Sequence, residues 1–167
     1  MSTQNSTVIV TSHVVKCQGM ATNAMKVAAE MIGGILEGHA KELCPVDTGL
    51  LRNSIVHAKS GDQITKVYTS DPVNKNGEFS GTKTGKISQA FPPDPDTNKI
   101  TVYVGTNVEY APYVELGHAQ EPGRYVPAIG KRLKASHVAG KPFLAPAVTG
   151  NMDEVLQAMQ KAMQNAK

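Results

Sequence analysis

The chain has 167 residues, of which 40% are hydrophobic, 19% charged and 5% aromatic, with no Trp and a formal net charge of +3. One domain of this length buries a substantial core, and with so few aromatics that core has to come from Val, Ile, Leu, Met and Ala. The mild charge does not mark a dedicated nucleic-acid binder, whose basic residues concentrate on one face, and no apolar run approaches the ~20 residues that span a bilayer.

The polar start, residues 1–7, lacks the basic-then-apolar pattern of a secretory leader. With only Cys17 and Cys44, free thiols and a soluble protein made in a reducing cytoplasm are expected. Residues 7–16 are rich in β-branched side chains and predict a first strand. From Met20 to Leu43 the apolar residues Met20, Ala24, Val27, Ala28, Met31, Ile32, Ile35, Leu36, Ala40 and Leu43 follow the stripe of a long amphipathic helix. Gly33, Gly34 and Gly38 cost that helix ~1 kcal/mol each relative to Ala, which suggests close packing against another backbone, or more sharply a hinge.

Pro45 ends the helix, because it cannot donate to a helical turn and disfavours a helical Cys44. Asp47 is then expected to accept from backbone N–H groups in an Asx-type turn, with Gly49 supplying a permissive φ. Residues 53–59 and 64–69 predict two strands joined as a hairpin by Ser60-Gly61-Asp62-Gln63. Residues 70–98 have few apolar anchors and predict a long loop or arm. Residues 99–106 alternate Ile100, Val102 and Val104 against Thr101 and Tyr103, the pattern of a strand.

Residues 108–117 place Tyr110, Tyr113 and Val114 at helical spacing, with Pro112 early and Gly117 as a stop. Residues 118–141 predict a second loop, basic through Arg124, Lys131, Arg132, Lys134 and Lys141 against the single acid Glu121. Pro142-Phe143-Leu144-Ala145-Pro146 returns the chain to the core. A last helix carries Met152, Val155, Leu156, Met159 and Met163 as one stripe. Asn151 and Glu154 have capping-box spacing, and a start at either Asn151 or Pro146 fits the pattern.

Asp47-Thr48-Gly49 is also the triplet of aspartic proteases, which pair two carboxylates, by dimerising in the one-triplet enzymes, so that they share a proton. Val126-Pro127-Ala128-Ile129-Gly130 even mimics their downstream apolar element. The context is wrong, since the triplet follows a helix and a proline and Leu50 comes next. A turn is the reading, and a protease only a remote alternative. His13 and Cys17 on one strand would stand ~13 Å apart, and neither they nor the His39 and Cys44 pair has the tight spacing of zinc ligands. No Gly-x-Ser-x-Gly elbow or phosphate loop is present. The residues therefore assign no catalytic, cofactor-binding or metal site. The basic loop reads as a solvated surface, or as a salt-sensitive contact to an acidic protein or to DNA.

Three blocks in fixed order carry more information than any single motif. The first holds Pro45, Asp47, Thr48, Gly49, Leu51, Arg52, Ser54 and Ile55. The second holds Val104, Gly105, Tyr110, Ala111, Tyr113, Val114, Glu115 and Gly117. Pro142, Phe143, Leu144 and Pro146 make the third. From around Met20 to the C-terminus this order resembles the tail-component family of long-tailed bacteriophages, the tail-completion or head–tail joining proteins. The resemblance implies a single α+β domain over residues 1–167, with an antiparallel sheet packed by a long N-terminal helix and a C-terminal helix. The two long loops, 70–98 and 118–141, exceed what the family leads one to expect.

The resemblance further implies no enzymatic activity, no cofactor, no membrane and a place in the virion. Several copies, a hexamer by expectation, would form a ring at the neck, touching head-side connector or portal-associated proteins and the tail tube or terminator. The motif residues would be architectural. Strand edges could continue into a neighbouring copy, and the two loops could order on docking. Arg124, Lys131, Arg132, Lys134 and Lys141 would meet a protein partner or, alternatively, contact or gate genome DNA in the channel.

Overall fold

The structure, a computed structural model, describes residues 7–10, 21–71, 81–96, 99–127 and 130–165. Helix α1 (Ala21–Leu43) forms where the apolar periodicity requires it and is the axis on which the other elements pack. Its buried face is made of Ala28, Ala29, Ile32, Leu36 and Ala40, small enough at three positions to let neighbours approach closely. Against it lies a three-stranded antiparallel sheet in the order β1 (Thr7–Val10), β5 (Val102–Gly105), β2 (Val56–Lys59). Val102, Val104, Val56 and Ala58 are buried.

Four shorter helices complete the fold. These are α2 (Leu50–Ser54), α3 (Ala111–Leu116), α4 (Leu144–Thr149) and α5 (Met152–Gln164). Of these, α2, α4 and α5 pack on α1. Helix α5 runs antiparallel to α1: Glu154 near its start meets His39 at 2.6 Å, while Met159 and Met163 near its end share a narrow cleft with Met25 and Ala28. Phe143 and Ile55 are fully enclosed at the centre of this α+β packing.

Several local expectations change. Residues 53–59 are not one strand, since Asn53 and Ser54 close α2 before β2 begins. Strand β3 (Gln63–Ser70) forms as expected but does not pair with β2. The reason lies on the outer edge of β2. The His57 N–H donates to the Glu37 carboxylate at 3.0 Å, and the Lys59 N–H donates to Asp62 at 3.1 Å. The turn instead closes on the chain at Phe91, whose N–H donates to the Asp62 carbonyl at 2.8 Å.

Residues 70–98 are not structureless. Strand β4 (Lys83–Ala90) pairs with β3 over eight residues, from Gln63 opposite Ala90 to Ser70 opposite Lys83. Its inner face reads Gly85, Ile87, Gln89, with only Ile87 buried, so its sequence lacks the alternation that announces a strand. Residues 118–141 likewise form a two-tier ribbon. The root tier pairs β6 (Gly117–Ala119) with β9 (His137–Ala139), and the tip tier pairs β7 (Tyr125–Val126) with β8 (Lys131–Arg132). Backbone bonds between Gln120 and Ser136 and between Gly123 and Leu133 join the tiers.

The C-terminal segment is two helices rather than one. The face of α5 that turns inward is Val155, Ala158 and Ala162, with Met159 partly covered, whereas Met152, Leu156 and Met163 are exposed. Alanines permit the closer approach to α1, so the small residues win the interior over the longer methionines. The capping box does not form. Asn151 Nδ2 donates back to the Ala147 carbonyl at 2.8 Å, closing α4, and Glu154 is occupied by His39. Residues 11–20, including the rest of the expected first strand, His13 and Cys17, lie outside the described residues.

Candidate functional site

The three motif blocks meet in space, and buried polar groups fasten them together. After α1 and Pro45 the chain turns at Gly49, whose φ of +80° is left-handed, a conformation cheap only for glycine. The Asn53 N–H donates to the Gly49 carbonyl at 2.9 Å and starts α2. The expected Asx turn is not made: Asp47 is exposed, and its carboxylate has no hydrogen-bond partner among the described residues. Leu51 and Ile55 from this corner enter the core.

Ser54, fully buried, links the first block to the second. Its hydroxyl donates to the Leu51 carbonyl at 2.6 Å and shares a 2.5 Å bond with Thr106, which accepts the Val108 N–H at 3.1 Å. With Ser54 donating to Leu51, the Thr106 hydroxyl must donate to Ser54. Every polar atom in the chain of bonds is then satisfied, the condition under which a buried network rigidifies rather than destabilises. Beside it, Asn107 accepts the Tyr68 hydroxyl at 2.8 Å and donates to the Lys86 carbonyl at 2.8 Å. It thereby clamps the β3–β4 ribbon to the same junction.

Glu115 joins the second block to the third. Its carboxylate is buried and accepts the N–H groups of Phe143, Leu144 and Ala145 at 2.7, 3.0 and 2.9 Å. These are the first donors of α4, which no local side chain caps and which would otherwise be orphaned. Alongside, the Lys141 N–H reaches the Val114 carbonyl at 2.7 Å. Gly117 and Gly140 lie against each other's strands so closely that a Cβ on either would fall 2.4–2.5 Å from a backbone oxygen. The root of the basic ribbon is thus pinned, not a loose loop.

Between the corner and that root lies a groove of about 720 Å³. Val46, Leu51, Tyr110, Tyr113, Val114 and Val138 line it, together with Asp47 and Lys141. Tyr110 and Tyr113 are 42% and 59% exposed, unusually open for aromatic rings on a chain with so few. The His118 ring stands edge-on to Tyr113, with centroids 5.6 Å apart. Its Nδ1 is buried without a partner, a condition shared among the described residues only with the Ser70 hydroxyl. Partial burial pushes the Tyr110 phenol up, helped by neighbouring Cys44 and Asp47.

At the groove Asp47 has no hydrogen bond among the described residues that would align its carboxylate. The Cys44 thiol is buried and pushed up to about 11 by burial, far from the thiolate a nucleophile needs. Among the described residues no cluster of His, Cys, Asp and Glu could hold a metal ion, and no helix is long and apolar enough to cross a membrane.

Beyond the groove, Arg124, Lys131, Arg132 and Lys134 stand on the ribbon. They have no ion-pair partner among the described residues, although Arg132 donates to the Gly123 carbonyl at 2.6 Å. By contrast, Glu30, Glu37, His57, Lys59, Asp62, Lys41 and Lys66 pair with one another across α1, β2, β3 and the turn at Asp62.

Of the motif residues, the structure brings Leu51, Ser54, Ile55, Val104, Ala111, Glu115, Phe143 and Leu144 into the buried junction. Asp47, Arg52, Tyr110, Tyr113 and Pro142 remain exposed. Thr106, inside the second block, and Asn107, just past the end of its strand, close two of the polar links, a role that a short polar run after a strand does not announce. A family model for the bacteriophage HK97-gp10-like tail component matches residues 12–117, which contain the first two blocks. No curated protein and no solved structure matches the chain. The chain belongs to the HK97-gp10-like family of bacteriophage tail components.

Proposed function

We propose that this tail component is a structural, ring-forming virion protein that completes the tail at the neck and joins it to the head connector. On this reading its neighbours are further copies of itself, six to a ring, with head-side connector or portal-associated proteins above and the tail tube or terminator below. The observation that supports it is how the polar groups are spent. At the junction of the three blocks Ser54, Thr106, Asn107 and Glu115 are used internally and hold the corner, α3 and α4 together, while Asp47 and Arg52 stay exposed. What remains outside is an apolar groove lined by exposed tyrosines and a pinned basic ribbon. Both suit protein contact, where aromatic and Arg side chains carry binding. The reading assigns the chain no catalysis.

The test is the phenotype of particles lacking this protein. Electron microscopy is expected to show full heads beside separate, finished tails. Joined and infectious particles would overturn the reading.

A second reading, contact with or gating of DNA in the channel, draws on the unpaired cations of the ribbon. It expects DNA binding that weakens with salt and is lost when Lys131, Arg132 and Lys134 are neutralised. Absence of binding at low salt would end it.

A further inference from the structure

We propose that the groove of one copy receives the tip of the basic ribbon of the next copy, a head-to-tail contact between copies of this chain. This rests on the ring reading above and names the surfaces that would make the ring.

The two surfaces are complementary, and neither is used within the chain. At the groove, Tyr110 and Tyr113 expose their rings. Asp47 is the carboxylate in its lining, and Glu109 precedes Tyr110 just outside that lining; both are exposed without partners among the described residues. Lys141 is the cation at this rim. At the ribbon tip, Tyr125 is 53% exposed and stands across the ladder from Arg132, with Val126 opposite Lys131. Arg124 and Lys131 have no carboxylate partner among the described residues, and Glu121 is the acid nearest in sequence. Cations approaching tyrosine faces and free carboxylates gain from both the ring quadrupole and charge pairing.

Geometry excludes the same molecule as the occupant. His118, Val138 and Ala139 of the groove are the root of the ribbon, and the tip lies several residues farther out, a reach of up to ~25 Å at strand rise. A tip seated in a groove therefore comes from another copy. The root is already immobilised by Glu115 and by the Gly117–Gly140 approach, so docking a ribbon sacrifices less freedom than ordering a loop. Continuing the sheet through β2 is not open as an alternative, because Glu37 and Asp62 occupy its outward N–H groups. A contact between two different patches is heterologous, and such a contact makes a ring when its rotation closes and a filament when it does not.

The experiment exchanges the charges. One chain carries Asp47→Lys and Glu109→Lys, a second carries Arg124→Glu and Lys131→Glu, and a third carries all four. Assembly is followed by sedimentation and native mass measurement, alone and with connector and tails. All four side chains are exposed, and circular dichroism confirms folding. Each two-residue variant is expected to raise the assembly midpoint at least tenfold, and the four-residue variant to recover it. A cysteine pair, Glu109→Cys with Lys131→Cys in a Cys17→Ser background, is expected to give a ladder of disulfide-linked copies. A wild type that forms rings while the variants form them equally well, with no cross-linked ladder, overturns this contact and leaves the ring reading standing. A wild type that stays monomeric with connector and tails present overturns both.

Discussion

Glu115 and Phe143 are joined by a 2.7 Å hydrogen bond in which the Phe143 N–H donates to the buried Glu115 carboxylate. The same carboxylate holds the next two N–H groups. One side chain from the end of α3 therefore caps α4 across 28 residues of sequence, with the whole basic ribbon looped out between them. The negative charge also suits the positive start of a helix.

Removing that carboxylate should be costly. Glu115→Ala leaves buried N–H groups without acceptors, which at 1–3 kcal/mol per group gives a loss of about 3 kcal/mol or more. Glu115→Gln keeps an acceptor but loses the charge, and about 1–2 kcal/mol is expected. Urea denaturation of both variants measures the difference, and equal stabilities would contradict the cap.

The ribbon root can be tested without touching its charges. Gly140→Ala would place a methyl group 2.5 Å from the Glu115 carbonyl oxygen, forcing the chain after β9 away from the end of α3. Limited trypsin digestion should then cut at Arg124 and Lys131 several-fold faster than in the parent. Gly123→Ala is no control, because Gly123 sits at φ +85°; a change at exposed Ser136 is the better comparison.

The three glycines of α1 should separate by sign. A Cβ at Gly33 would meet the His57 ring at 2.3 Å, whereas Gly34 and Gly38 have nothing within 4 Å. Gly33→Ala should destabilise by about 1–3 kcal/mol through overpacking. Gly34→Ala and Gly38→Ala should stabilise the isolated protein by roughly 0.5–1 kcal/mol each through helix propensity. Thermal melts of the three single variants decide it.

The pH dependence should run through His57 and Glu37. Hydrogen bonding to Glu37 raises the His57 imidazole from its ordinary 6.5, against the opposing effect of burial, and Glu30 adds to the rise. Its stabilisation is therefore complete below pH 6.5 and is lost as pH climbs through the raised folded value. For Glu37, burial alone would raise the carboxyl, but hydrogen bonds from His57 and Lys41 outweigh it and bring it to about 2. That contribution is present above about pH 4.5 and fades only as pH falls towards 2. Melting temperature should accordingly decline between neutral and alkaline pH, and His57→Gln should flatten that decline.

Local chemistry alone was enough for several features, because their causes lie within a few residues. The periodicity of residues 20–43 forces α1, Pro45 ends it, Gly49 turns the chain, and the alternation at Ile100, Val102 and Val104 makes the central strand. The order of the three blocks was enough to point to the tail-component family. What depended on partners distant in sequence was not legible there. Strand β4 has almost no apolar face of its own and exists because β3 lies beside it. The β2 edge is closed by Glu37, 20 residues upstream. Asp47 and Glu115 divided in a way their types could not announce. Asp47, expected to hold a turn, has no hydrogen-bond partner among the described residues, and Glu115, expected only as an architectural motif residue, is buried as a cap. Which carboxylate meets backbone N–H groups is settled by packing, since only the folded chain brings the start of α4 to the end of α3.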